Sequence, residues 1–226
     1  MDQKSNRIRW SYFYRSWIYA YWMVGIMTKT DAKKFLTVGN HKLNKNIATF
    51  DIPAIKEICG QICPGCYAEK AQKIYPAVLP SRMLKYDLSK SETFVSIMTA
   101  AIKALNMRYI RIHSSGEMYN QEYLDKWSKI VQNLPTQQFF VYTKKIKHLD
   151  FSKLFALPNI VVIDSLKWGK LNYGTLKDKP NNSILCPDHP KSGLRSIYPT
   201  GPICGTHCTI CMDKTTENYG VYFIKH

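Results

Sequence analysis

Acidic residues are scarce in this chain: 16 Asp and Glu stand against 32 Lys and Arg, for a formal charge of +16. Two readings fit that imbalance. An AT-rich genome favours lysine, asparagine and isoleucine codons, and a polyanionic partner such as RNA or DNA favours a basic surface. No compact basic run marks a nucleic-acid-binding tail. Long apolar runs are missing too. The longest candidate, Trp17 to Met27, is too short to span a bilayer. It has the basic start and apolar middle of a signal peptide, but no small-residue cleavage site follows it. There is no phosphate-binding glycine loop, no nucleophile elbow and no long internal repeat. What remains is a chain of 226 residues with 45% apolar side chains, enough for one real core and too apolar for disorder.

The cysteines are few, odd in number and clustered. Seven occur, at 59, 63, 66, 186, 204, 208 and 211. That pattern argues against a secreted disulfide framework and for metal binding in a reducing compartment. Cys59, Cys63 and Cys66 lie in one stretch, Cys59-Gly60-Gln61-Ile62-Cys63-Pro64-Gly65-Cys66-Tyr67. A tight loop of this kind brings several thiolates to one point, as a soft metal or an iron–sulfur cluster requires. Three thiolates leave a cubane one ligand short, and an open coordination position separates a working metal site from a closed structural one. Cys186, Cys204, Cys208 and Cys211 form a second group of four, which closes a tetrahedral site for zinc or for a second cluster. The spacing alone does not choose between them. His189 and His207 are spare candidate ligands beside it.

The chain divides by composition into three parts. Residues 1–27 crowd Trp10, Tyr12, Phe13, Tyr14, Trp17, Tyr19, Tyr21 and Trp22 around Arg9 and Arg15, and read as an aromatic extension, helical and poorly attached. Residues 28–171 alternate strand and helix. Phe35–Val38 and Ile47–Phe50 read as extended segments around a turn at Gly39. A helix runs from Tyr67 to Ile74, closed by Pro76. A second helix reaches Asn106, with Phe94, Ile97, Met98, Ala101, Ile102 and Leu105 at helical spacing. Strands follow at 109–112, 139–143 and 160–163, separated by helices at 121–134 and 151–157. Helices between strands imply parallel pairing, with ligands at the carboxyl ends of the strands. The expected fold is therefore α/β, a partial (β/α) barrel-like parallel sheet. Residues 172–226 are loop-rich and hold the second cysteine group, a metal-binding segment with one last strand at 220–224.

Ser115, Gly116 and Glu117 follow the strand at 109–112. A flexible turn exposes backbone carbonyls there, and a nearby carboxylate can pair with an ammonium. Tyr142, Lys144 and Asp164 end the next two strands, and Lys145 reads as a solvated loop charge.

The C-x3-C-x2-C spacing resembles the signature of the radical S-adenosylmethionine enzymes, whose open iron binds that cofactor. The likeness implies a [4Fe–4S] cluster on Cys59, Cys63 and Cys66, with S-adenosylmethionine against Ser115, Gly116 and Glu117. The segment 115–117 is similar to the Gly-Gly-Glu turn of those enzymes. One residue departs from the pattern: the aromatic usual before the last cysteine is Gly65 here, and Tyr67 stands on the other side. The whole chain also resembles a phage and plasmid family known as gene product 88. The resemblance runs through Gly39-Asn40-His41-Lys42-Leu43, Ala48-Thr49-Phe50, Cys63 to Ala68, Arg111 to Glu117, Tyr123 to Trp127, Tyr142-Thr143-Lys144 and the terminal cysteines. The family pattern has Ser at the place of His41, and Asp is common at the place of Glu117. The likeness implies a phage- or element-encoded protein of the bacterial cytoplasm. Together these features set three expectations. The first is a radical enzyme acting on an unnamed substrate, nucleic acid among the possibilities, with an unnamed reductant. The second is a zinc-stabilised nucleic-acid-binding protein without catalysis. The third is a degenerate barrel that keeps metal only for folding.

Overall fold

The computed structural model describes residues 27–39, 43–60, 63, 66–166, 173–174, 184–185, 208–214 and 221–224. Residues 1–26 of the aromatic extension expected over 1–27, and Cys186, Cys204, His189 and His207, lie outside the described residues. A short helix, α1 (Lys29–Phe35), opens the ordered chain under an N-cap in which Thr28 accepts from the Asp31 amide. Phe35, read as extended, is its last residue, because the extended stretch shrinks to β1 (Thr37–Val38). β1 turns back on β2 (Ile47–Phe50) in antiparallel register, with Thr37 opposite Thr49.

Four parallel strands follow one another in chain order. β2 is followed by the single turn α2 (Lys56–Cys59), the helix α3 (Tyr67–Ile74), α4 (Val78–Lys90) and α5 (Phe94–Leu105). Then come β3 (Tyr109–Ile112), α6 (Gln121–Gln132), β4 (Gln138–Thr143), α7 (Ser152–Phe155) and β5 (Ile160–Asp164). The sheet order is β1-β2-β3-β4-β5, so every parallel neighbour is also the next strand in sequence. The class is mixed α/β with a five-stranded, mostly parallel sheet. In the tail, β6 (Tyr173–Gly174) and β7 (Ile184–Leu185), in a stretch that reads as loop, flank the expected last strand, β8 (Val221–Ile224), in a small parallel sheet.

α4 has no counterpart in the sequence reading, and its chemistry explains why. Pro80 falls in its first turn, where the amides have no intrahelical partner and a proline costs little. Its inward residues include Lys85 and Ser89 beside Leu88, so no apolar period marks it. α5 is the opposite case: all six residues spaced as core are buried, and Asn106 closes it in the left-handed conformation at φ 52°.

Alternating side chains split the sheet into two faces. Ala48, Phe50, Ile110, Ile112, Phe139, Val141, Ile160 and Val162 pack with the helices. At the centre Phe50, Phe94 and Trp127 meet edge to face with centroids 5.4–5.6 Å apart. Ile47, Tyr109, Phe140, Val161 and Ile163 form the other face, packed with Leu43 and with Met212 of a single 3-10 turn, Ile210–Met212. Among the described residues no helix is long and apolar enough to cross a membrane.

Candidate functional site at the carboxyl ends of the strands

The ends of β2 and β3 are stitched together. The His113 amide donates to the Phe50 carbonyl at 3.0 Å, and the Ile52 amide donates to the Ser115 carbonyl at 3.2 Å. Ser115 Oγ returns a bond to the Ile52 carbonyl at 2.9 Å. Gly116 lies so close to Ile52 that a Cβ there would sit 2.3 Å from Ile52 Cγ1, and its φ of +92° disfavours any side chain. Only glycine fits the turn.

Asp51, which the sequence reading passed over, organises this turn. Its Oδ1 accepts from the Ser114 amide at 2.6 Å, from Ser114 Oγ at 2.7 Å and from the Ser115 amide at 3.0 Å. Its Oδ2 accepts from Ser114 Oγ at 2.8 Å. The signal available in the sequence was position: an acid directly after a parallel strand, where such sheets bind ligands.

Glu117 turns inward and is 1% exposed. Oε1 accepts from the Met118 amide at 2.8 Å and from Thr143 Oγ1 at 2.6 Å, and Oε2 accepts from the Lys144 amide at 2.9 Å. The carboxylate thus fastens the β3 turn to the end of β4. The ammonium of Lys144 stands 3.9 Å from Oε2.

The cysteine loop leans on the same place. Cys59 ends α2, Gly60 caps it at φ 80°, and Cys66 precedes α3. The Tyr67 hydroxyl donates to the Ser114 carbonyl. The side chain of Lys145 passes close to Gly60, where its Nζ would lie 2.8 Å from an added Cβ. Cys59, Cys63 and Cys66 are free, half-buried thiols. Burial pushes the Cys59 thiol up to about 11; Glu117 adds to this, Lys144 opposes it, and Cys66 and Cys63 raise it further. Burial pulls the Lys144 ammonium down, but Glu117 and the Cys63 thiol, a hydrogen-bond partner, outweigh it and hold it above its ordinary value. Lys144 thus stands between Glu117 and Cys63.

Among the described residues no three His, Cys, Asp or Glu side chains are gathered to hold one metal ion. A single zinc draws its thiolates to within roughly 4 Å of each other, from Zn–S bonds of about 2.3 Å. A cluster spreads them over separate irons. The thiols here influence one another electrostatically without forming the tighter cage.

Of the second cysteine group, Cys208 and Cys211 are described, and both are half-buried. Tyr142 Oη lies 2.6 Å from Cys211 Sγ, and Arg111 stacks over the Tyr142 ring at 5.4 Å. Asp164, at the tip of β5, accepts from the Leu166 amide at 2.7 Å and so forms its own turn.

The molecule is thus a mixed α/β protein with a mostly parallel sheet and three half-buried thiols near the carboxyl ends of its strands. The family model described as gene product 88 matches residues 26–218, and the chain belongs to that family. It is similar to the Gene 88 protein of Mycobacterium phage L5, 27% identical over 163 residues, covering 69% of this chain and 68% of the relative. It is also similar to the Gene 88 protein of Mycobacterium phage D29, 25% identical over 103 residues, covering 42% and 43%. No solved structure matches the chain.

Proposed function

We propose that this protein is an iron–sulfur enzyme of the radical S-adenosylmethionine type, working in the cytoplasm of a phage-bearing bacterium. The observation that carries the reading is the order of parts around one mouth. The three-cysteine loop follows the first parallel strand, and the Ser-Gly-Glu turn follows the second. Helices packed on one face and strands in unbroken chain order support the reading of a (β/α) barrel arc, in which ligands collect at the strands' carboxyl ends.

The donor set offers three half-buried thiols in one stretch of chain, the number that leaves one iron of a [4Fe–4S] cluster open. Cys59, Cys63 and Cys66 would hold that cluster. When bound, cluster and S-adenosylmethionine together supply one-electron cleavage of the cofactor and hydrogen abstraction from a substrate. Ser115 and Gly116 would present main chain to the cofactor's amino group. Glu117, already committed to Thr143 and Lys144, acts by holding that turn in place. Lys144 keeps a positive charge beside the sulfur ligands. The C-terminal cysteines take a second metal, zinc or a further cluster.

Anaerobic purification with iron and sulfide analysis tests the reading. A brown protein that loses its colour in Cys59→Ser, and that releases 5′-deoxyadenosine on adding S-adenosylmethionine and a reductant, is expected. Stoichiometric zinc without iron overturns it. The charge of +16 favours a second reading, a zinc-stabilised nucleic-acid-binding protein. RNA binding that collapses steeply with salt, in a protein without iron, would support that one instead.

A further inference from the structure

Between the sheet and α4 lies a stack of Tyr86, Tyr119, Tyr123 and His113. Tyr123 is 1% exposed, and its ring lies on that of Tyr119 with centroids 4.5 Å and planes 15° apart. Tyr86 meets Tyr119 edge to face at 5.0 Å. His113 stacks on Tyr123 with centroids 5.7 Å apart, and its Nε2 is 2.8 Å from the Tyr123 hydroxyl. Filling a core needs neither that hydroxyl nor a titratable ring beside it. His113 directly precedes Ser114, the first residue of the turn that leads to Glu117.

Loss of one electron turns a phenol into a strong acid. Oxidation is therefore easy only where the phenolic proton has a base to go to. Tyr119 lacks one. The Ser89 hydroxyl donates to the Tyr86 carbonyl at 2.6 Å, so Tyr119 donates to Ser89 Oγ at 2.8 Å, and serine does not take up a proton. Trp127, 6.3 Å from Tyr123, makes no hydrogen bond through Nε1 to a described residue. The Lys90 ammonium sits 3.7 Å over the Tyr86 ring and opposes a positive hole there. Tyr123 differs from all of these. A phenol is a stronger acid than a neutral imidazole, so its O–H points at Nε2 and the ring proton sits on Nδ1. Burial keeps His113 neutral, with its pKa lowered to about 3, and an oxidised phenol is acidic enough to protonate it even so.

We propose that Tyr123, with His113 as its base, is a one-electron donor that quenches carbon-centred radicals formed beside the Ser-Gly-Glu turn. Such a radical takes one electron from Tyr123 and one proton from solvent, and becomes a closed-shell C–H group. The phenolic proton passes to His113 Nε2. What is left is a neutral phenoxyl radical hydrogen-bonded to an imidazolium, with the Tyr119 ring stacked on it. A one-electron reductant of the ascorbate class then returns the electron, and His113 returns the proton. Lys90 keeps the hole on the inner pair and away from Tyr86. The source of the radical rests on the proposed function. The oxidation of Tyr123 needs no metal, so either idea can fail alone.

Oxidation of the full-length protein by a photoexcited ruthenium complex and persulfate, followed by freeze-quenching, tests this. Electron paramagnetic resonance should show a long-lived neutral phenoxyl radical, coupled to a histidine nitrogen that isotopic labelling identifies. Tyr123→Phe should lower its yield roughly ten-fold, and Tyr86→Phe should leave it unchanged. His113→Asn should shorten its lifetime by roughly ten-fold, the scale of losing a hydrogen bond from a charged donor. After full exchange into deuterium oxide, the radical in the parent should form about two-fold more slowly, because proton and electron leave together. Absence of a phenoxyl signal, an equal yield in Tyr123→Phe, no histidine coupling or no isotope effect overturns the proposal and leaves the pair a structural hydrogen bond. The coupling and the isotope effect are read on the parent, so the test stands where a variant fails to fold.

Discussion

Replacing His113 by Asn should remove an acid-sensitive step from this protein's stability. His113 directly follows β3 with φ 64°, is 3% exposed, and bonds through Nε2 to Tyr123 Oη at 2.8 Å. Its Nδ1 is buried without a partner among the described residues. Burial lowers its pKa to about 3, with Asp51 opposing and Arg111 adding to the effect. Tyr123 is pushed well above its ordinary value, chiefly by burial, so the pair stays neutral. The unfolded chain has an ordinary histidine near 6.5. Below that pH the unfolded state binds a proton that the folded state refuses, so stability falls as pH falls. Above it both states are neutral and the effect vanishes. Linkage then gives a loss of roughly 2.5 kcal/mol between about pH 7.5 and pH 4.5, near the full slope of about 1.4 kcal/mol per unit.

Asn is the right replacement because it tolerates the left-handed conformation and does not titrate. The variant leaves Tyr123 without its partner and should be weaker at every pH. The informative quantity is the difference in slope. Urea unfolding of both proteins across that range should show the histidine form losing stability faster by the amount above. Parallel curves would mean that His113 titrates normally and that the burial argument is wrong.

Three further outcomes follow from the same geometry. Asp51→Ala removes the acceptor shared by the Ser114 and Ser115 amides and should cost about 2–4 kcal/mol in urea unfolding. Gly116→Ala should cost a similar amount, about 2–4 kcal/mol, because its Cβ overlaps Ile52 Cγ1 and the φ of +92° is strained for alanine. Tyr142→Phe removes the donor to Cys211 Sγ, which favours its thiolate, and should slow alkylation of Cys211 by roughly five-fold, the equivalent of about 1 kcal/mol. The alkylation rate of Cys59 in that variant should not change.

The elements that the sequence made legible are those whose burial follows a period. β3, β4, β5, α5 and α6 each show apolar residues at the spacing of their type, and each stands where that spacing puts it. α4 escaped because its inner face mixes Lys85 and Ser89 with Leu88, a pattern indistinguishable from an exposed helix. The Ser-Gly-Glu turn was visible by its residues, yet the direction of Glu117 was not. Thr143 and the Lys144 amide, both distant in sequence, drew it inward. Asp51 was hidden for the same reason, since its role exists only once β2 and β3 are side by side.

The end of β4 explains why the two cysteine groups are best considered together. Tyr142 reaches the second face and meets Cys211. Thr143, pointing the other way, bonds Glu117. Lys144, just past the strand, stands beside Glu117 and Cys63. Three consecutive residues thus touch the tail, the Ser-Gly-Glu turn and the cysteine loop. The tail's hold is apolar as well: Ile210, Cys211 and Met212 pack on Ile47, Phe140, Val161 and Ile163, and Lys214 Nζ donates to the Ile160 carbonyl at 2.9 Å. Composition changes at residue 171, but the packing does not stop there. A chain cut at that point would lose Met212 and Ile210 as cover for the second face, and Tyr142 would lose its contact with Cys211. Metal bound at the C-terminal cysteines would stiffen the cover over that face, and through β4 it would steady the turn that holds Glu117.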